Sequence, residues 1–170
     1  MNTRTRAIYG CAGPRLTDDE RRFYADAQPL GFILFARNIE TPDQVRVLVS
    51  ELRATVNDPT APVLIDQEGG RVARLKPPHW KARPPARRFG ELHERDPEAA
   101  REAAYLNARL IAQELFDLGI NVDCVPVLDV PVAGANDVIG DRAFAHDPSI
   151  IIDLGRAMIE GMMDGGVLPV

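Results

Sequence analysis

Polar residues that could take part in chemistry are concentrated in three short segments, each of which follows an apolar run. The segments are 66–74, 126–130 and 139–144. Asp66 opens the first segment, directly after an apolar stretch. A carboxylate in that position can accept paired hydrogen bonds from the hydroxyl groups of a sugar, although it could also cap the loop that follows. We favour sugar binding over capping for this residue.

The residues around Asp66 leave several interpretations open. Glu68 could be a catalytic acid or an ordinary loop residue, and Gly69-Gly70 is more typical of a tight turn than of a phosphate site. Arg74 could clamp a ligand or lie in solvent. Arg142, in the third segment, could reach into a cleft or pair with a nearby aspartate. The candidates for that pairing are Asp129 and Asp141.

The segment 71–88 holds seven basic residues and no acidic one. Such a segment could favour an anionic ligand, but it is more often a solvated loop, and the prolines between 77 and 85 agree with a loop. Trp80 lies within it and could stack on a sugar ring. We expect Trp80 to anchor the loop instead.

Several function classes are excluded or disfavoured. The 20 basic and 25 acidic residues give a net charge of −5, which argues against nucleic-acid binding. No apolar run approaches the ~20 residues of a membrane span. Cys11 and Cys124 make no disulfide framework, which favours the cytoplasm, and we expect both to be packed thiols. His79, His93 and His146 lack metal-ligand spacing and are predicted to be surface residues.

Five nearly continuous apolar runs predict strands buried on both faces, as in parallel sheets. The predicted strands are 7–11, 31–35, 62–65, 121–125 and 167–170. Helices are predicted between them, so the chain is of the α/β class. Alternating strands and helices form either an open doubly wound sheet or a (β/α)8 barrel. A barrel typically needs ~250 residues, so five strands would be a little over half of one.

Four helix starts are predicted from their capping signals. Thr17 and Thr41 are each followed three residues later by Glu or Gln, the spacing of a capping box. Asp96 and Asp147 each precede a proline, which is favourable at the first helical position. The longest predicted helix spans 97–118, with Gly119 as its C-cap, and Gly165 is predicted to cap the last helix.

The final residues, 165–170, have the pattern of a turn and the beginning of a buried parallel strand. A strand of this kind normally leads into a loop, a helix and a further strand. We therefore expect the chain to be the first half of a larger βα protein, with part of the active site outside it.

At these polar segments the sequence resembles glycoside hydrolase family 3, in particular the bacterial β-N-acetylglucosaminidases of cell-wall recycling. The stretches that carry the resemblance are 31–38, 66–74, 119–130, 139–144 and 147–148. They occur in the family's order and cover nearly the whole chain. Residues 1–170 are accordingly expected to be the N-terminal portion of a single (β/α)8-like barrel domain.

The resemblance implies a retaining mechanism through a covalent glycosyl-enzyme, with an aspartate nucleophile and a loop histidine as the acid/base. It implies that Asp66, Arg74 and Arg142 hold the terminal, non-reducing N-acetylglucosamine of a peptidoglycan-derived muropeptide, with no metal or organic cofactor. The family's Lys-His pair, its Pro-Gly-His-Gly loop and its nucleophile have no match in these 170 residues. No catalytic residue is therefore predicted in this chain, which we expect to be inactive alone.

Two other functions remain open. One is a β-glucosidase of the same family, although Ile139-Gly140-Asp141-Arg142-Ala143-Phe144 favours the N-acetylglucosaminidase branch. The other is a non-catalytic, sugar-binding half-barrel. In either case the isolated chain is expected to associate with itself, because an open barrel leaves two sheet edges exposed.

Overall fold

The computed structural model describes residues 4–132, 134 and 137–170. Within them lies one sheet of five parallel strands. The strands are β1 (Thr5–Tyr9), β2 (Pro29–Leu34), β3 (Val63–Ile65), β4 (Val122–Asp123) and β5 (Leu168–Pro169). All five predicted strands are present, but most are shorter than predicted. Cys11 and Cys124 consequently lie just beyond β1 and β4 rather than inside them.

The strands are ordered in the sheet as they are in the chain, β1-β2-β3-β4-β5, and every neighbouring pair is parallel. A doubly wound sheet reverses its strand order at a switch point, and this sheet has no reversal. Right-handed crossovers between consecutive parallel strands place the connecting helices on one face. The architecture is that of a (β/α)8 barrel wall over its first five strands.

In the part of the chain that the structure describes, five α-helices connect or flank the strands. They are α1 (Asp18–Ala27), α2 (Pro42–Thr55), α3 (Arg87–His93), α4 (Pro97–Phe116) and α5 (Pro148–Asp164). The four predicted N-caps are confirmed, because the side chains of Thr17, Thr41, Asp96 and Asp147 each accept a backbone N–H in the first turn. The box at Thr41 is incomplete, since Gln44 Oε1 accepts from the N–H of Glu40.

The short helix α3 was not predicted. Its N-cap, Ala86, has no side-chain acceptor, so the sequence carries no start signal there. The helix lies against the segment that carries Arg142, and the Cα of Gly90 sits close to the carbonyl group of Phe144. Two short 3-10 helices, Ala36–Asn38 and Gly140–Arg142, complete the described secondary structure.

The core lies between the sheet and the helices. Phe32, Leu34, Val63 and Ile65 are completely buried there and form one continuous cluster with the apolar faces of α2, α4 and α5. The intervening strand residues face the other way. Ile33 and Leu64 are only half-buried, and Leu168 of β5 is 57% exposed. The expectation that the strands are buried on both faces is therefore wrong for the described chain.

Within the described part of the chain, none of the helices has the length and apolar character needed to cross a membrane.

Candidate functional site

The candidate site lies at the carboxyl ends of β3 and β4, where the loops that follow the two strands meet. Asp66 comes directly after Ile65, the last residue of β3, and Asp123 ends β4. The carboxyl ends of parallel strands are where βα proteins place their functional groups. Side-chain hydrogen bonds join the loops, among them one from the N–H of Gln67 to Asp123 and two from Arg142 to Glu68.

Asp66 and Arg74 form an ion pair within the first loop. Arg74 Nη2 donates to Asp66 Oδ2 at 2.6 Å, and each side chain is about one quarter exposed. A tight reversal between them, in which the N–H of Val72 donates to the carbonyl of Gly69, brings the two residues together. The pair is therefore held at the surface of the site, with access to a ligand.

The predicted turn at Gly69-Gly70 is confirmed. Both residues have positive φ angles, +98° and +55°, which favour glycine. A Cβ at Gly69 would lie 2.4 Å from the carbonyl oxygen of Pro84, so the turn also requires a residue without a side chain. The N–H of Gly70 donates to the carbonyl of Arg83 at 2.9 Å, and this bond connects the turn to the far end of the same loop.

Arg142 pairs with Glu68, which answers one question that the sequence left open. Its Nε and Nη2 donate to the two carboxylate oxygens of Glu68 at 2.9 and 2.8 Å. Of the alternatives left open by the sequence, a pairing with Asp129 or Asp141 is not the one observed. Hydrogen bonds to Glu68 raise the pKa of Arg142, with further contributions from the charges of Asp129 and Asp66. Because both of its oxygens bind the guanidinium group, Glu68 positions Arg142.

Asp141 pairs instead with Arg71, at 3.0 Å. Arg71 Nη2 also donates to the carbonyl of Val138 at 2.6 Å. This second bridge ties the same two loops together nearer the solvent. Arg142 is held by its own ion pair with Glu68, and the preceding residue, Asp141, is held by its ion pair with Arg71.

Two buried polar residues below the site, Gln67 and Asp123, were missed by the sequence reasoning. Both are completely buried. Asp123 Oδ1 accepts the backbone N–H of Gln67 at 2.9 Å. Burial raises the pKa of Asp123 to about 7, and the neighbouring carboxylates of Asp66 and Glu68 also raise it. The only signal in the sequence was a carboxylate placed inside an apolar strand.

The central part of the basic segment, 76–84, is a largely exposed loop as expected, but it is fastened to the protein at a few points. Leu75 and Trp80 are buried in the core, which confirms Trp80 as an anchor. Arg83, with a side chain only 11% exposed, donates to Glu114 of α4 at 2.5 Å. The loop that carries Arg74 is thus held at both ends.

The histidines and cysteines supply no catalytic group at this site. His79 and His146 are exposed as predicted, but His93 is partly buried and its Nε2 lies 2.9 Å from Asp153 Oδ2. Burial raises the pKa of Cys11 to about 11 and that of Cys124 to about 12, so both thiols stay protonated at neutral pH. Across residues 4–132, 134 and 137–170, His, Cys, Asp and Glu side chains form no cluster suited to a metal ion.

The three predicted substrate-binding residues are brought to one end of the sheet. Asp66 and Arg74 are in direct contact, and Arg142 is joined to their loop through Glu68. A carboxylate beside two guanidinium groups can accept hydrogen bonds from vicinal hydroxyls and donate hydrogen bonds to hydroxyl and carbonyl oxygens. That combination suits an uncharged polyhydroxy ligand. The role of the three residues in binding remains a prediction.

Comparison with known proteins shows which protein family this sequence matches. Residues 7–170 match the family described as the glycosyl hydrolase family 3 N terminal domain. Two curated relatives named beta-hexosaminidase are similar over 92% of the chain. The protein of Thiobacillus denitrificans is 41% identical, and that of Aromatoleum aromaticum is 38% identical. In both cases the chain spans only 43% of the length of the relative.

Solved structures of similar proteins agree with this family match. Native NagZ from Neisseria gonorrhoeae superposes on 98% of the chain with a TM-score of 0.90 and 32% identity, and the chain covers 48% of that structure. The same enzyme in complex with N-trifluoroacetyl-D-glucosamine gives a TM-score of 0.90, with 49% of its chain covered. A family 3 β-N-acetylglucosaminidase from a Paenibacillus strain gives 0.85 at 31% identity, with 95% of this chain and 30% of that one covered.

Proposed function

Because the chain belongs to glycoside hydrolase family 3, we propose that the full-length protein is a retaining β-N-acetylhexosaminidase. It releases terminal, non-reducing β-N-acetylglucosamine from peptidoglycan-derived muropeptides. The observation that carries the proposal is the joined set of Asp66, Arg74 and Arg142 at the carboxyl end of the sheet. A chain 32% identical to this one is known in complex with a glucosamine derivative.

In the proposed site the three side chains hold the sugar and perform no bond-breaking step. Asp66 accepts hydrogen bonds from hydroxyl groups of the terminal residue, while Arg74 and Arg142 donate hydrogen bonds to its oxygens. Charge-assisted hydrogen bonds of this kind contribute roughly 1.5–3 kcal/mol each. The ion pair between Asp66 and Arg74 and the ion pair between Glu68 and Arg142 keep these donors and acceptors in place before the sugar binds.

The bond-breaking residues belong to the rest of the proposed barrel. The aspartate nucleophile and histidine acid/base that the resemblance implies match no residue of this chain. Residues 1–170 therefore form, in this proposal, the N-terminal portion of a single barrel domain that binds the sugar. No metal or organic cofactor is part of the proposal, and the free thiols of Cys11 and Cys124 favour a cytoplasmic location.

The test is hydrolysis by the purified full-length protein. We expect turnover of 4-nitrophenyl N-acetyl-β-D-glucosaminide and little turnover of 4-nitrophenyl β-D-glucoside, which separates this function from a family 3 β-glucosidase. Nuclear magnetic resonance of the first-formed product should show the β-anomer, as retention requires. Preference for the glucoside, an inverted product or no turnover of either substrate would contradict the proposal.

A separate proposal concerns the 170-residue chain by itself. Leu168 of the edge strand β5 is 57% exposed, Val170 just after it is 62% exposed, and Leu128 and Val130 are also exposed. Apolar side chains on an open sheet edge promote association. The chain alone should therefore self-associate. Light scattering over a range of concentrations is the test, and a monodisperse monomer would overturn this expectation.

A further inference from the structure

A buried polar connection runs beneath the proposed sugar-binding loop, from β4 to the residue after Asp66. Asp123 Oδ1 accepts the backbone N–H of Gln67 at 2.9 Å. Asp123 is completely buried, and no described residue hydrogen-bonds to its second oxygen, Oδ2. The bond holds the loop at the point where it leaves the sheet, between the carboxylates of Asp66 and Glu68.

Gln67 extends this connection across the loop. Its Oε1 accepts the N–H groups of Arg74 and Leu75 at 2.8 and 3.0 Å, and its Nε2 donates to the carbonyl of Leu75 at 3.1 Å. Three hydrogen bonds of one buried side chain thus fix the backbone of Arg74 and Leu75, and the guanidinium group of Arg74 binds Asp66. Asp123 therefore acts on two of the three sugar-binding residues through Gln67, without contact with the sugar.

The charges around Asp123 disfavour its ionised form. Asp66 and Glu68 face it from the loop after β3, and both are acidic. Its partners in register, Ile65 on β3 and Pro169 on β5, carry no charge, and Cys124 beside it is a neutral thiol. Arg74 and Arg142 are bound to Asp66 and Glu68. In the described residues, Asp123 forms no ion pair that would offset the cost of burying a charge.

We propose that Asp123 is a positioning residue that makes the closure of the sugar-binding loop depend on pH. Its Oδ1 accepts the N–H of Gln67 in either protonation state, while burial and the neighbouring carboxylates favour the neutral acid in the closed loop. When Asp123 ionises, the states in which the loop opens and water reaches the carboxylate are favoured. The inference deepens the proposed function, because the loop it controls is the one that is proposed to hold the sugar.

The direction of the effect follows from proton linkage. In the closed loop, burial and the neighbouring carboxylates of Asp66 and Glu68 raise the pKa of Asp123 to about 7, while in an open, solvated loop an aspartate titrates near its ordinary value of about 4. The contribution of Asp123 to loop closure is therefore complete below about pH 4. As the pH rises toward 7, the equilibrium constant for closure falls by up to about tenfold per pH unit. Above that value no further change is expected from this group.

The test is hydrogen exchange of the segment 66–75 in the full-length protein between pH 4.5 and 8, corrected for the intrinsic rate of exchange. Wild-type protection should fall as the pH rises to about 7 and then level off. Asp123→Asn keeps the acceptor for Gln67 and cannot ionise, so its protection should not vary with pH. Asp117→Asn, which changes an exposed aspartate at the end of α4, is the matched control and should behave as wild type.

Two further readouts complete the design. The ¹³C resonance of the Asp123 carboxyl group reports its titration in the wild-type protein, so that this readout is independent of how the variant folds. Binding of N-acetylglucosamine should weaken over the same pH range in wild type, and Asp123→Asn should lose that part of the pH dependence. Titration near pH 4, or the same loss of protection in wild type and Asp123→Asn, would overturn the inference. If no sugar binds at any pH, the proposed function fails, and the exchange and titration data still decide the role of Asp123.

Discussion

Replacing Gly90 with alanine should displace the segment that carries Arg142. A Cβ at Gly90 of α3 would lie 1.9 Å from the carbonyl oxygen of Phe144 and 2.8 Å from its carbonyl carbon. Cβ contacts below 3.0 Å are essentially never found, so one side must move by about 1.1 Å, the difference between 1.9 and 3.0 Å. Because the obstacle is backbone, no side-chain rotation can relieve the overlap.

The expected cost combines two opposing effects. Overpacking of a close contact destabilises by about 1–3 kcal/mol, while alanine in place of a helical glycine returns up to about 1 kcal/mol. The free energy of unfolding should therefore fall by about 1–2 kcal/mol. Phe144 follows Arg142 by two residues, so a shift of this size should also misplace the guanidinium group and raise KM on the order of tenfold.

Gly155→Ala in α5 is the matched control. The Cβ at that position would meet Leu128 Cδ2 at 2.6 Å, which is the end of a flexible and exposed side chain. Leu128 can rotate away, so this variant should be neutral or slightly stabilising. Denaturant unfolding and steady-state kinetics of the two variants in the full-length protein test the reasoning. If Gly90→Ala were as stable and as active as Gly155→Ala, the close packing of α3 on the Arg142 segment would be refuted.

The remaining predictions concern charged groups. Asp66→Asn and Arg142→Ala should each lower kcat/KM of the full-length protein by on the order of tenfold to a hundredfold, with little change in the melting temperature, and unchanged kinetics in both would remove them from the site. Arg83→Ala and Glu114→Ala should each lower the free energy of unfolding by about 1–3 kcal/mol. The loss in the double variant should be clearly smaller than the sum of the two single losses, and a loss equal to that sum would exclude coupling between the two side chains. The raised pKa of Asp123, about 7, should make stability greatest near pH 4 and reduce it as the pH rises to 7, by at most about 4 kcal/mol. Thermal melts across this range should lose that slope in Asp123→Asn, and a slope retained by the variant would assign it to other groups.

Local chemistry made much of the fold predictable. The N-caps at Thr17, Thr41, Asp96 and Asp147 were readable because each depends on a side chain and a backbone group only two or three residues apart. The strands were readable as apolar runs, but their lengths were not, since a strand ends where its neighbour in the sheet ends. Helix α3 has no capping acceptor and is defined by its packing on the segment around Phe144.

The residues that belong to the candidate site were easier to predict from the sequence than the contacts between them. Asp66, Arg74 and Arg142 were found from their positions after apolar runs and from the family resemblance. The partner of Arg142 could not be found from the sequence, because Glu68 lies 74 residues away and only the fold brings the two residues together. The role of Asp123 depends on burial and on two neighbouring carboxylates, which no local pattern reveals.

The most direct test of the account is a crystal structure of the full-length protein with N-acetylglucosamine bound. The account predicts that the sugar lies at the carboxyl ends of β3 and β4, with its hydroxyl groups within hydrogen-bonding distance of Asp66 and its oxygens bound by Arg74 and Arg142. The ion pair between Glu68 and Arg142 should remain intact beneath it. A well-ordered sugar bound elsewhere, with these three side chains facing solvent, would contradict the assignment of the site.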